Sequence, residues 1–312
     1  MVIRRRFSGR VKTCCIHDLL WNSLRKEAEK EKFLYVVRDH VQVLPEEAYS
    51  NRRLVLHSEI VASAEHKPSV PFTYSFLCCI GAGLPPSTSH LRSIIGFPGF
   101  KLLRVLDLGS GMFFTFPLEI AQLVNLRYLA LNCYDELPSA ISELCHLKIL
   151  NISSHLEGLA LPADLWNMAR LRHVRLTRGF IMPDPMALSA LVDGKSSQVL
   201  LNLKHFPIQA LMSYYLNNLN CIEGLEALKC RFFNPMRIPL QNLIPSTLKK
   251  LTLGGSRRPW EEISVLSSLP ELQVLKLKKF AFQGAKWKTN EMFFPKLKFL
   301  LLGKNRSNVL GS

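Results

Sequence analysis

Apolar positions recur along the chain as Leu-x-x-Leu-x-Leu. Four copies, Leu103/Leu106/Leu108, Leu126/Leu129/Leu131, Leu147/Leu150/Ile152 and Leu171/Val174/Leu176, are followed by Leu225/Leu228/Cys230, Leu248/Leu251/Leu253, Leu272/Leu275/Leu277 and Leu297/Leu300/Leu302. Successive copies begin 23, 21 and 24 residues apart, then 54, then 23, 24 and 25. Alternation of apolar and polar residues inside each copy predicts a short strand with one buried face. The 54-residue step is about twice the others, so a degenerate copy is expected around Val199 to Leu203.

The connecting segments repeat too. Pro117, Ile120, Leu123 and Leu126 have the spacing of Pro138, Ile141, Leu144 and Leu147, and again of Pro162, Leu165, Met168 and Leu171. Each unit therefore reads as a strand, a turn and a proline-started return segment whose apolar side chains are buried only by the next unit. The expected fold class is α/β, a leucine-rich-repeat solenoid, or horseshoe, with a parallel concave sheet. Weaker strands are expected at Arg53 to Leu56, Phe76 to Ile80 and Leu91 to Phe97, around the Pro/Ser/Gly-rich stretch His57 to His90. The step from Leu91 to Leu103 is too short for a full return, which predicts a tight connection there. Gly111, Tyr134, His155, Gly179 and Ser256 stand where the repeat pattern wants Asn or Cys, so no regular asparagine ladder is expected.

Ahead of the repeats, Arg10 to Cys15 reads as a strand and His17 to Lys32 as an amphipathic helix with Leu19, Leu20, Leu24 and Ala28 on one side. One strand and one helix cannot enclose a core. Residues 1–45 are thus expected to be the end of a domain whose beginning lies elsewhere, and 46–312 to be the repeat domain, irregular to about residue 100.

Charge sharpens this picture. The 312 residues carry a formal net charge of +16, and residues 201–312 hold 17 Lys+Arg against 6 Asp+Glu. Such a surface suits acidic partners. On the concave strand face, alternation turns Arg172, Arg175, Arg178, Lys249, Lys250, Lys276, Lys278, Lys279, Lys298 and Lys304 outward, a positive stripe suited to an acidic protein surface. A solvated face that keeps the array soluble is the competing reading. No aromatic-interleaved basic motif accompanies the charge, so nucleic acid is not expected.

The eight cysteines form no Cys-x-x-Cys, which leaves no zinc or redox motif to read and fits buried thiols in a reducing, cytoplasmic setting. No apolar run is long enough to span a bilayer, and no apolar segment follows the basic N-terminus as a secretory signal would require. The sequons at Asn151 and Asn305 accordingly receive no role. Catalysis is not expected, because no local motif assembles a nucleophile, base or carboxylate pair.

Cys15-Ile16-His17-Asp18-Leu19-Leu20, followed by a charged helix ending Glu31-Lys32-Phe33-Leu34, resembles the Met-His-Asp motif that closes the winged-helix domain of plant nucleotide-binding leucine-rich-repeat receptors, with Ile16 in place of Met. Leu91-Arg92-Ser93, the run from Phe100 to Leu108, and Leu126-Arg127-Tyr128-Leu129 resemble first repeats of the coiled-coil class typified by late blight resistance protein homologues. The resemblance implies a C-terminal fragment, without the nucleotide-binding core, of a plant defence receptor. It further implies that His17 faces the phosphates of ADP, with Asp18 supporting the local fold, only in an intact receptor that binds ADP or ATP. This chain is expected to hold no cofactor: Gly194 to Ser196 has Ser189 where a phosphate loop needs its first glycine. The implied partners are the receptor's own nucleotide-binding domain, held inactive, and a pathogen effector or guarded host protein. A cytosolic ubiquitin-ligase adaptor and an inactive truncated receptor are the alternatives.

Overall fold

The computed structural model describes residues 2–5, 11–38, 46–57, 72–79, 98–154, 159–177, 180–181, 183, 205–210, 219, 222, 224–232, 239–284 and 294–303. Two compact units divide the chain, Met1–Leu106 and Asp107–Ser312.

In the first unit, β1 (Val2–Arg5) pairs antiparallel with β2 (Val11–Cys15) and is followed by helix α1 (Asp18–Lys30). The helix contains no glycine, proline or β-branched residue, which favours the α conformation. It stops at Lys32, whose φ of 51° is the left-handed conformation of a helix C-terminus. Lys32 N–H donates to the Glu29 carbonyl and Phe33 N–H to the Ala28 carbonyl, the paired bonds of a Schellman ending. Parallel pairing begins directly afterwards: β3 (Tyr35–Val37), within the stretch read as the end of a preceding domain, lies beside β4 (Arg53–Leu56), and β4 beside β5 (Ser75–Cys78). The expected strands at Arg53 and Phe76 are present, whereas Leu91 to Phe97 and the short step from Leu91 lie outside the described residues.

The second unit starts within β6 (Val105–Phe113) and continues through β7 (Tyr128–Cys133), β8 (Ile149–Ser153), β9 (Leu159–Ala160), β10 (His173–Thr177), β11 (Phe180–Ile181), β12 (His205–Ala210), β13 (Ala227–Phe232), β14 (Lys250–Gly254), β15 (Arg258–Pro259), β16 (Val274–Leu277), β17 (Phe282–Gln283) and β18 (Phe299–Leu302). The strands β7, β8, β10, β12, β13, β14, β16 and β18 pair parallel in that order. Two small parallel pairs, β9 with β11 and β15 with β17, stand apart from this sheet. The Leu-x-x-Leu-x-Leu residues align across neighbours, Leu129–Leu150–Val174 and Leu228–Leu251–Leu275 in one row, and all six are buried. Burial of this stacked aliphatic face is the main source of stability, and it exists only between repeats.

Each prolyl return closes alike. Pro117, Pro138 and Pro162 each precede a 3-10 turn (Leu118–Gln122, Ser139–Glu143 and Ala163–Asn167). In each, the proline carbonyl accepts from the residue three on, Ile120, Ile141 or Leu165, at 3.0–3.1 Å. Proline suits this place because its fixed φ starts the turn and its missing N–H has no partner to lose. At the N-terminal ends of the strands a second repeating device appears: the carbonyls of Arg127, Lys148, Glu226, Lys249 and Gln273 each accept two successive N–H groups of the next repeat.

The degenerate copy is corrected by the register. Val199 to Leu203 lies outside the described residues, and the strand filling the long gap is His205–Ala210. Ile208 aligns with Leu176 on one side and Cys230 on the other, and Phe206 aligns with Leu228. Phenylalanine and isoleucine thus take the places of the repeat's leucines, with Pro207 between them. The turn positions after the third apolar residue carry no asparagine ladder where they are described. At one of them Ser256 is buried and donates its hydroxyl to the Ala281 carbonyl.

Candidate protein-binding face

Strand alternation that buries Val174 and Leu176 must turn Arg175 outward, and Arg175 is exposed. The same reasoning places Lys229 between buried Leu228 and Cys230, Arg231 between Cys230 and Phe232, and Lys276 between Leu275 and Leu277. Lys229 aligns with Thr252 and Thr252 with Lys276, so one register row crosses the open face of the sheet. Lys276 Nζ lies 5.4 Å from the centre of the Phe299 ring on the next strand, a cation–π contact that orients the ammonium.

The predicted stripe resolves into separate lines. Arg172, Lys249 and Lys298 are not on the open face proper; they precede their strands and form a rim with Arg127 and Lys148. Glu226 interrupts this rim and pairs with Lys249 at 3.4 Å. Of the other predicted residues, Lys250 leads β14 and is exposed, Lys278 is exposed just after β16, and Lys279 lies in the turn that follows, its carbonyl accepting from Gly255 N–H. Arg178 and Lys304 lie outside the described residues. Lys229 and Arg231, absent from the sequence-based set, complete the face; the alternation Leu228-x-Cys230-x-Phe232 carries them just as it carries Lys276.

At the opposite end the face is polar rather than basic. Tyr128 donates its hydroxyl to Asp107 at 3.3 Å and accepts from Asn151 Nδ2 at 3.0 Å, while Gly109 N–H donates to the other Asp107 oxygen at 3.0 Å. Burial first, and the Asp107 carboxylate second, hold the Tyr128 phenol above the ordinary tyrosine range. The sheet therefore presents an acid-anchored hydrogen-bonded patch over β6 to β8 and a cationic field from β10 to β16.

His17 sits exposed directly before α1, its carbonyl accepting from Trp21 N–H, and of Asp18 only the backbone is described, as the first residue of the helix. Around His17 the surface is apolar: Leu20, Trp21 and Leu24 are 54%, 46% and 53% exposed. One imidazole offers a single contact to a diphosphate, and the backbone N–H cradle that phosphates require is not assembled beside it by the described residues. Among those residues no group of His, Cys, Asp and Glu could hold a metal ion, and no helix is long and apolar enough to cross a membrane.

Fold and face together define a leucine-rich-repeat protein. Its homologues are late blight resistance proteins and other plant disease resistance proteins. Two putative late blight resistance protein homologs of Solanum demissum are 29% identical to the chain over 343 residues and 30% identical over 337 residues. These alignments cover 97% and 94% of this chain. The chain spans about a quarter of the length of these relatives, 26% of each. No family model matches it. Among solved structures, an internalin of Listeria monocytogenes superposes with a TM-score of 0.55 at 19% identity, covering 84% of this chain and 70% of that one. The plant peptide hormone receptor RGFR1, solved in complex with RGF2, gives 0.50 at 17% identity over 97% of this chain and 44% of that one. At these identities the likeness is one of fold.

Proposed function

We propose that the chain is the protein-binding repeat module of a cytoplasmic plant immune receptor, which docks on the receptor's nucleotide-binding core and keeps it inactive until a pathogen effector or a guarded host protein is sensed. The observation that carries this reading is the cationic field formed by Arg175, Lys229, Lys250, Lys276 and Lys278 on a rigid sheet. Fixed charges on a rigid face accelerate encounter with an acidic surface and penalise wrong partners. Homology to disease resistance proteins gives the setting, and RGFR1 with its peptide ligand is an example of a related fold holding another chain. In this reading residues 1–45 are the end of a winged-helix domain, the exposed Leu20, Trp21 and Leu24 face is covered by the rest of that domain, and ADP bound by the core meets this chain only at His17.

The test is co-precipitation of the chain with a separately expressed nucleotide-binding domain of a late blight resistance homologue, at low and at high salt. Binding that weakens with salt, and that is lost when Lys249, Lys250, Lys276 and Lys278 are all changed to Glu, is the expected result. A folded chain that binds at neither salt concentration overturns the reading.

A further inference from the structure

Arg175, Lys229 and Lys276 stand on β10, β13 and β16, and between successive members of this series lies a single strand, β12 and then β14. Neighbouring strands are about 4.8 Å apart, so successive cations are spaced by about 10 Å along the row. The intervening register positions hold Pro207 and Thr252, both uncharged. No Asp or Glu occupies an outward position of the described strands from β8 to β16; among the described residues Glu226 lies on the rim, paired with Lys249, and Asp107 at the far end, held by Tyr128 and Gly109. The row is thus a ruler of positive charge with a regular step.

A peptide in polyproline II conformation advances about 3.1 Å per residue with three residues per turn, so its positions i, i+3 and i+6 share one face and recur every ~9 Å. A β-strand matches less well, because positions three apart point to opposite faces. We infer that the open face binds an acidic segment in polyproline II conformation, lying across the strands, with carboxylates at every third residue opposite Arg175, Lys229 and Lys276. Thr252, between Lys229 and Lys276 in the row, leaves room for the backbone, whereas a single-stranded nucleic acid would call for aromatic platforms there. The inference rests on the reading of this face as a protein-binding surface and specifies what it reads: spacing as well as charge.

The experiment is fluorescence anisotropy with the full chain and labelled synthetic peptides of one composition, glutamate in a proline/serine background. One peptide carries glutamate at every third position, one at every second position and one in a single block; an oligothymidylate of equal charge is the fourth probe. The every-third peptide is expected to bind about tenfold more tightly than the other two peptides. Arg175→Glu, Lys229→Glu and Lys276→Glu should each weaken it by about tenfold, while Arg170→Glu, equally exposed in the turn before β10, should not. Peptides that bind alike whatever their spacing overturn the inference, as does tighter binding of the oligothymidylate. No peptide binding by a chain that still precipitates the nucleotide-binding domain overturns it while leaving the proposed function standing.

Discussion

Gly255 has φ +74°, and a Cβ added there would lie 1.9 Å from the Phe232 carbonyl oxygen of the preceding repeat. Both the backbone conformation and the close approach demand glycine, so Gly255→Ala should lower stability by well over ~1 kcal/mol in urea titration, more than an ordinary surface change. The thiols divide by burial. Cys133 is buried and, with burial leading and Asp135 adding, its thiol is pushed up to about 11; burial also raises Cys230. Cys79 and Cys145 are exposed. Alkylation of the native chain near neutral pH, read by peptide mass mapping, should therefore modify Cys145 and Cys79 and spare Cys133 and Cys230 until denaturant is added. Tyr128 makes a pH prediction. Its folded-state pKa lies above the unfolded value, so it stabilises the fold fully below about pH 10 and that contribution is lost as pH rises through the folded value. Urea midpoints should fall as pH rises above about 10, and Tyr128→Phe should flatten that fall.

Within a single rung, the strand and its turn divide the energetic burden unequally. Leu251 is buried between Leu228 and Leu275, and truncation to alanine should cost ~2–5 kcal/mol by equilibrium denaturation, since neighbours held on a rigid ladder collapse poorly into the cavity. Ser256→Ala should cost only about 1 kcal/mol, because the Ala281 carbonyl that loses the hydroxyl keeps the N–H of Arg258. What was legible in the sequence follows the same division. Leucines spaced by 3 and 2 residues are readable because their period is that of the strand, and the prolines of the returns are readable because no other residue presets that turn. The β12 rung was expected in the long gap but misplaced, since Phe206 and Ile208 hold its register positions without matching the leucine pattern. The basic residues were legible as charge but not fully as position: Arg172, Lys249 and Lys298 precede the strand proper, so alternation does not govern where they point. The Asp107–Tyr128–Asn151 chain was invisible because its members lie more than 20 residues apart and meet only through stacking.

For the molecule as a stack, each repeat is held by its neighbours, and the doubly accepting carbonyls of Arg127, Lys148, Glu226, Lys249 and Gln273 link successive rungs. All four residues of β18 are exposed, including Leu300 and Leu302, whose register partners Leu275 and Leu277 are buried. Hydrogen exchange should accordingly be slowest in β13 and β14 and fastest in β18, with protection graded between them. Equal protection of β18 and β14 would contradict a nearest-neighbour account. The alternation that buries Val174 and Leu176 while presenting Arg175 has an evolutionary corollary. Cohesion is written at one set of positions and recognition at the interleaved set, so mutation can exchange the cation on any rung without loosening the ladder. A lineage of such chains can therefore diversify what it recognises at little risk to folding, one rung at a time.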